Sequence, residues 1–331
     1  MMNTSKTLKT SLLLSCLLGS LLPMTSMANE YKQVDIKPLD PAYFIAERHA
    51  GRTYFITGGA RGIGAAAAIR LAREGASVMI FDVLEKEGMA TVAQIRNEGG
   101  KAEFFKGDVR SNDDLKKAVD LTLEKFGQIN GALNSAGIMA AMAPDEKLDY
   151  QKQKPLLPTP VAEAGDEYFD TLMAVNSTGV FKSMRAQLQP MLKQGKGGAI
   201  VNICSIAGLT GLAGNSAYVA SKHACSGLTR SAAIDYAPYG IRVNSVNMAA
   251  TETAMTEMAI NFVKAASKEN AASTIPNMGR TKTLSLLAYA DSNKRQSTVW
   301  EQAAVICFLL SDEASNLTGG LFATDGGWTA Y

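Results

Sequence analysis

From Arg52 onward the chain alternates short apolar runs with amphipathic stretches, and no other property narrows its fold so far. Thr53–Thr57 reads as a strand, and Ile63–Glu74, ended by Gly75, reads as a helix. The pair then recurs. Further strands are expected at Ser77–Phe81, around Phe104-Phe105, and at Ala132–Ser135, Ala199–Ile203, Ile241–Val246 and Leu321–Thr324. Helices are expected at Glu85–Glu98, from Ser111 to Phe126, through Phe169–Leu192, over Tyr218–Tyr236 and at Trp300–Leu310. Ser111-Asn-Asp-Asp114 is a capping-box variant, and Gly127 is the matching stop signal. Strands joined through helices run parallel, so the expected class is α/β: one doubly wound domain with a seven-stranded, mostly parallel sheet.

The domain is expected to occupy residues 51–331, after an N-terminal extension over 29–50. Two loops break the alternation. Residues 139–163 carry Pro144, Pro155, Pro158 and Pro160, and residues 250–298 separate the sixth strand from the penultimate helix, with 281–297 looking inserted. Long loops at the carboxyl ends of parallel strands are where such sheets hold ligands.

Charge excludes several functions. Apart from Lys6 and Lys9, the chain holds 31 basic and 31 acidic side chains, so its body offers no nucleic-acid surface. His49 and His223 are its two histidines, with no Cys/His cluster, so neither a metal site nor a Ser-His-Asp hydrolase is expected. Cys204, Cys225 and Cys307 sit in apolar surroundings and read as buried thiols.

Residues 1–28 read as a signal peptide. Lys6 and Lys9 form a basic start, Leu12 to Leu22 an apolar run too short to span a bilayer, and Ser26-Met27-Ala28 a small-residue cleavage site. An exported, periplasmic destination is thus expected, with a cytoplasmic one if the leader goes unused. No stable membrane span is expected.

Thr57-Gly58-Gly59-Ala60-Arg61-Gly62-Ile63-Gly64 lies between the first strand and first helix. Glycines there permit a tight turn and let a pyrophosphate rest on the helix N-terminus. Asp82 ends the second strand, where a carboxylate can bind the ribose hydroxyls of NAD and repel the 2′-phosphate of NADP. Arg61 argues the other way, but Asp82 meets the discriminating position directly, so NAD is expected and NADP is the lesser alternative. Further on, Tyr218 and Lys222 are four residues apart and share a helix face. An ammonium beside a phenol favours the phenolate, giving an acid/base near neutrality.

These motifs together resemble the short-chain dehydrogenase/reductase family, from about Gly51 to the C-terminus. Thr57-Gly58-x-x-x-Gly62-x-Gly64 matches its cofactor turn, Asp108-Val109 its adenine contact, and Asn134-Ser-Ala136-Gly137 its N-x-A-G strand end. Asn176, Ser205, Tyr218 and Lys222 match its catalytic tetrad, and Thr253 stands where the family places a threonine near the nicotinamide carboxamide. One departure is clear: the Pro-Gly usual after the sixth strand is replaced by Met248-Ala249.

The resemblance implies a Rossmann fold and hydride transfer between NAD and a secondary alcohol or ketone. Tyr218 would move the hydroxyl proton, Lys222 would lower its pKa and hold the nicotinamide ribose, Ser205 would bind the substrate oxygen, and Asn176 would hold a relay water. It also implies a homo-oligomer, expected as a tetramer, built on the Phe169–Leu192 and Tyr218–Tyr236 helices, with Met173, Phe181, Leu188, Leu228 and Ile234 as apolar candidates. The alternative is a catalytically silent dinucleotide-binding redox sensor of the same fold. Ile206, Ala207, Leu209 and Leu212, beside Ser205, favour an uncharged alicyclic or steroid-like substrate.

Overall fold

Tyr54 and Ile56 point to one face of the first strand and Phe55 to the other, and all three are fully buried. A strand covered on both faces needs layers above and below it, and the chain supplies them. The computed structural model describes residues 34–144, 146–269 and 285–330. The leader and the region 270–284, including part of the 281–297 segment, lie outside the described residues.

Seven parallel strands form one sheet: β1 (Thr53–Thr57), β2 (Ser77–Asp82), β3 (Lys101–Lys106), β4 (Gly131–Asn134), β5 (Gly198–Ile203), β6 (Ile241–Met248) and β7 (Leu321–Thr324). Their order is β3-β2-β1-β4-β5-β6-β7, so the winding reverses between β1 and β4. The helices are α1 (Gly62–Arg73), α2 (Glu85–Asn97), α3 (Asn112–Phe126), α4 (Tyr150–Gln153), α5 (Asp166–Met173), α6 (Gly179–Gln194), α7 (Ser216–Tyr236), α8 (Ala254–Glu269), α9 (Leu286–Ala290) and α10 (Val299–Leu310). α1, α2 and α10 pack on the face carrying Tyr54 and Ile56, whereas α3, α6 and α7 cover the face carrying Phe55. No helix among the described residues is long and apolar enough to cross a membrane.

Local chemistry accounts for the boundaries. The Ser111 side chain accepts the Asp114 N–H at the start of α3, and Gly127 ends that helix in the left-handed conformation. The 139–163 loop is not featureless: it contains α4, whose N-cap Asp149 accepts the Lys152 N–H. β6 runs two residues past the expected Val246, pairing Asn247 with Ala323 and Met248 with Thr324. Without a proline at this point, nothing stops the strand.

The extension before the first strand was expected to stand outside the domain. Its described part from Lys37 onward belongs instead to the body. Arg48 makes two hydrogen bonds to the Glu74 carboxylate, at 2.9 and 2.8 Å, and the Ile45 N–H donates to it at 3.1 Å. Arg70 donates to the same carboxylate at 3.0 Å and lies over the Tyr43 ring. Burial works against the charge on Glu74, but these bonds prevail and hold its pKa below the usual range. His49 is fully buried beside them, its Nδ1 2.7 Å from the Tyr54 hydroxyl and its Nε2 3.5 Å from Glu74. His49, Glu74 and Cys307 thus converge, but two guanidiniums already occupy the carboxylate, the wrong neighbours for a cation. Cys204, Cys225 and Cys307 are free and buried, as expected.

Candidate active site

The carboxyl ends of β1 and β4 abut at the point where the winding reverses. Gly58 has φ +68°, and a Cβ there would stand 2.5 Å from the Ala136 N, so only glycine lets the two strand ends meet. A Cβ on Gly64 would collide with the Gly58 carbonyl. The turn therefore leads tightly into α1, whose first turn contains no acidic residue and whose N-cap, Arg61, provides no side-chain cap. The first helical N–H to find a carbonyl is that of Ala65, bonded to Arg61. Those of Gly62, Ile63 and Gly64 remain at the positive end of the helix dipole, a fitting cradle for a pyrophosphate.

Asp82 buttresses this cradle. Its carboxylate accepts the Ala60 N–H at 3.0 Å and the Leu84 N–H at 3.1 Å, keeping further lone pairs for a ribose. Thr253 closes the other side, its methyl 3.6 Å from where a Cβ on Gly62 would stand. Its hydroxyl accepts the Thr256 N–H at 3.3 Å and so caps α8. Asp108 pairs with Arg110, and although burial opposes its charge, the Arg110 side-chain and backbone bonds hold its pKa low. Val109 packs where any side chain on Gly179 would intrude.

Asn134, the first residue of the N-x-A-G strand end, spends its side chain inside the core. Its side chain exchanges hydrogen bonds with Gln187 and donates to Asn202 at 2.9 Å, and Asn202 donates in turn to Thr229. It pins β4 to α6 and β5 from inside the core, with no side-chain group turned toward a cofactor. Gln187, Asn202 and Thr229 carry no motif, which is why the sequence pattern misses them.

Three of the four tetrad residues, Asn176, Tyr218 and Lys222, come together. α5 and α6 are continuous through one wide π turn, Ala174–Thr178, which carries Asn176. Such a turn re-aims a side chain without ending the helix. The Asn176 Oδ1 accepts the Ile138 N–H, and its Nδ2 donates to the Ile138 carbonyl, both at 2.8 Å, and to the Ser221 hydroxyl at 3.1 Å. Both Nδ2 hydrogens are spent, so Asn176 fixes the Ile138 peptide and can meet a water only through Oδ1.

Lys222 donates to the Ile203 carbonyl at 2.9 Å, and its ammonium lies 5.7 Å from the Tyr218 ring centre. Burial works against its charge, but Tyr218 and the nearby thiols offset this and raise its pKa. A Cβ on Gly137 would lie 3.3 Å from the Asn176 Oδ1 and 3.4 Å from the Lys222 Nζ, so the strand-end glycine borders the tetrad directly. The Ser205 hydroxyl accepts the Ala207 N–H at 3.1 Å and keeps its own hydrogen to donate. Asn247, just before the Met248-Ala249 that replaces Pro-Gly, donates to the Ser205 carbonyl at 2.9 Å. Beside Tyr218 lies an apolar wall of Tyr168, Leu172, Ile138, Met139, Leu212 and Val219.

Comparison with known proteins agrees with this geometry. The sequence model of the family described as short chain dehydrogenase matches residues 52–262. A 3beta-hydroxysteroid dehydrogenase of Mediterraneibacter gnavus is 38% identical over 289 residues, covering 87% of this chain and 98% of its own. A 2,5-dichloro-2,5-cyclohexadiene-1,4-diol dehydrogenase of Sphingobium indicum is 37% identical, covering 85% and 98%. The crystal structure of a short chain dehydrogenase from Mycobacterium paratuberculosis bound to NAD superimposes with a TM-score of 0.73 at 27% identity, covering 86% of this chain and 100% of that one. With the family model matching most of the domain and relatives covered almost end to end, the chain belongs to the short-chain dehydrogenase/reductase family, oxidoreductases that work with a nicotinamide dinucleotide.

Proposed function

We propose that the protein is an NAD-dependent oxidoreductase that interconverts a secondary alcohol and a ketone, with Tyr218 as the acid/base. The observation that carries this reading is the meeting of Asn176 and the Lys222 ammonium at Gly137, the strand end next to the cofactor cradle, with that ammonium 5.7 Å from the Tyr218 ring centre. Bound NAD would supply the hydride acceptor, held by the α1 N-terminus, Asp82 and Lys222. In the oxidative direction Ser205 donates its hydroxyl hydrogen to the substrate oxygen and orients it. Tyr218 takes the hydroxyl proton, and the Lys222 ammonium stabilises the negative charge that develops there. Asn176 holds the Ile138 peptide, keeping the substrate wall fixed.

Asp82 is the reason for preferring NAD over NADP, since a 2′-phosphate would meet its negative charge. The wall beside Tyr218 carries no charged side chain, which favours an uncharged alicyclic or steroid-like substrate. The names of the relatives, one acting on a hydroxysteroid and one on a cyclohexadiene diol, support the same class. We further infer a homotetramer built on α5, α6 and α7. Phe169, Phe181 and Ile234 stand 44%, 46% and 76% exposed there, although Leu188, expected at the interface, is buried in the core. Residues 1–28 are proposed to direct export.

The test is turnover of cyclic secondary alcohols with NAD, followed by NADH absorbance, in wild type and Tyr218→Phe. The variant should bind NAD normally and lose roughly 10²–10⁴-fold in kcat, the usual worth of a general acid/base. Turnover within threefold of wild type would overturn the assignment, and wild type that binds NAD but turns nothing over would favour the silent sensor.

A further inference from the structure

α7 carries Tyr218 in its first turn, and that turn lacks the usual cap. A helix leaves its first N–H groups unpaired, and the N-cap side chain ordinarily accepts from the second or third residue inside. Here the N-cap is Asn215, whose side chain makes no capping bond and donates instead to the Ala213 carbonyl at 3.0 Å. The first satisfied N–H is that of Val219, bonded to the Asn215 carbonyl at 2.8 Å. The third helical N–H, the one a capping oxygen would take, belongs to Tyr218 itself.

Across from it stands Tyr168, on α5. Its ring is fully buried in one cluster with Ala207, Ala217 and Tyr218, and among the described residues its hydroxyl completes no hydrogen bond. A buried hydroxyl left unpaired is costly. The group it faces is the Tyr218 backbone N–H. Two unsatisfied partners, a donor on the helix that bears the acid/base and an acceptor on the neighbouring helix, thus lie opposite each other.

We propose that Tyr168 is a positioning residue that caps the catalytic helix from outside, its phenolic oxygen accepting the Tyr218 N–H in the working complex. The inference rests on the assignment of Tyr218 as acid/base. Its consequence is geometric. The first turn of a helix frays most readily, and a cap on the Tyr218 N–H holds that residue's backbone, and with it the phenol, against Lys222 and Ser205. Tyr168 touches no reacting atom and acts only through Tyr218. It also belongs to the wall proposed to face the substrate, so one side chain would couple substrate packing to acid/base alignment.

The experiment compares wild type, Tyr168→Phe, Tyr218→Phe, Asn215→Ser and Tyr168→Phe/Asn215→Ser, with NAD affinity measured for each. Tyr168→Phe keeps the ring and removes only the hydroxyl. It should lower kcat roughly three- to tenfold, the range one neutral hydrogen bond carries, while NAD affinity stays unchanged. Serine is a good N-cap whose hydroxyl can take the Tyr218 N–H directly, so the double variant should recover most of the lost kcat. A merely structural role for Tyr168 predicts no such rescue. Unchanged kcat in Tyr168→Phe with a large loss in Tyr218→Phe would overturn the capping role and leave the acid/base assignment intact. Equal kcat in the single Tyr168→Phe and the double variant would also overturn it. A silent Tyr218→Phe would instead remove the reading on which the inference stands.

Discussion

His49 gives the sharpest stability prediction. Its imidazole is fully buried, and burial, aided by the charges of Arg48 and Arg52, outweighs the pull of Glu74 and lowers its pKa from 6.5 to about 4. A lowered folded-state pKa means the unfolded chain binds the proton more tightly. Stability from this residue is therefore complete above about pH 6.5 and is lost as the pH falls toward 4. The full difference is worth about 3 kcal/mol, and the part lost between pH 7 and pH 5 is about 2 kcal/mol. Glu74, whose folded pKa is also lowered from 4.5, adds its loss only at lower pH, so the two windows separate. Urea unfolding of the full chain at pH 7 and at pH 5 reads the quantity directly. In His49→Gln the packing cost applies at both pH values, but the pH-dependent loss should shrink by about 2 kcal/mol. Equal pH dependence in wild type and variant would refute the idea that a neutral buried imidazole closes this part of the fold.

Three further outcomes are expected. Asp82→Ala should raise kcat/KM with NADP relative to NAD, and it should weaken both cofactors, because the carboxylate also holds the Ala60 and Leu84 N–H groups; a wild type that already prefers NADP would contradict the role given to Asp82. Light scattering at micromolar concentration should return a tetramer mass, and a monomer would count against the α5–α7 interface. N-terminal sequencing after expression in a bacterial host should begin at Asn29, whereas a start at Met1 or Met2 in a soluble cytoplasmic fraction would overturn the export proposal.

What the sequence could and could not convey follows from the range of each interaction. All seven strands were legible, most plainly β1 and β2, where burial on both faces writes a nearly continuous apolar run into adjacent residues. So was the position of the glycine turn between β1 and α1, with Asp82 beside it, because it depends on residue type at fixed spacing. The role of Asn134 was not, since its partners Gln187 and Asn202 lie 53 and 68 residues away. Nor was the packed segment before β1, whose charged and polar residues look like an exposed arm until Glu74 and Arg70 are brought beside them. The π turn at Asn176 leaves no periodic trace because it inserts its offset inside a continuous helix. Where Met248-Ala249 replaces Pro-Gly, Met248 pairs with Thr324 as the last residue of β6, and Asn247 just before it donates to the Ser205 carbonyl.

The joining of β1 to the end of α10 at the amino side of the sheet bears on how the fold closes. Tyr54 in the first strand donates to the Leu310 carbonyl, 256 residues later, and Arg52 pairs with Asp312 across 260 residues. α10 also provides the wall against which α1 packs. The face of β1 that α1 and α2 begin to cover is thus completed only when α10 joins it. Contacts of such long range close slowly, because the intervening loop entropy is lost before they form.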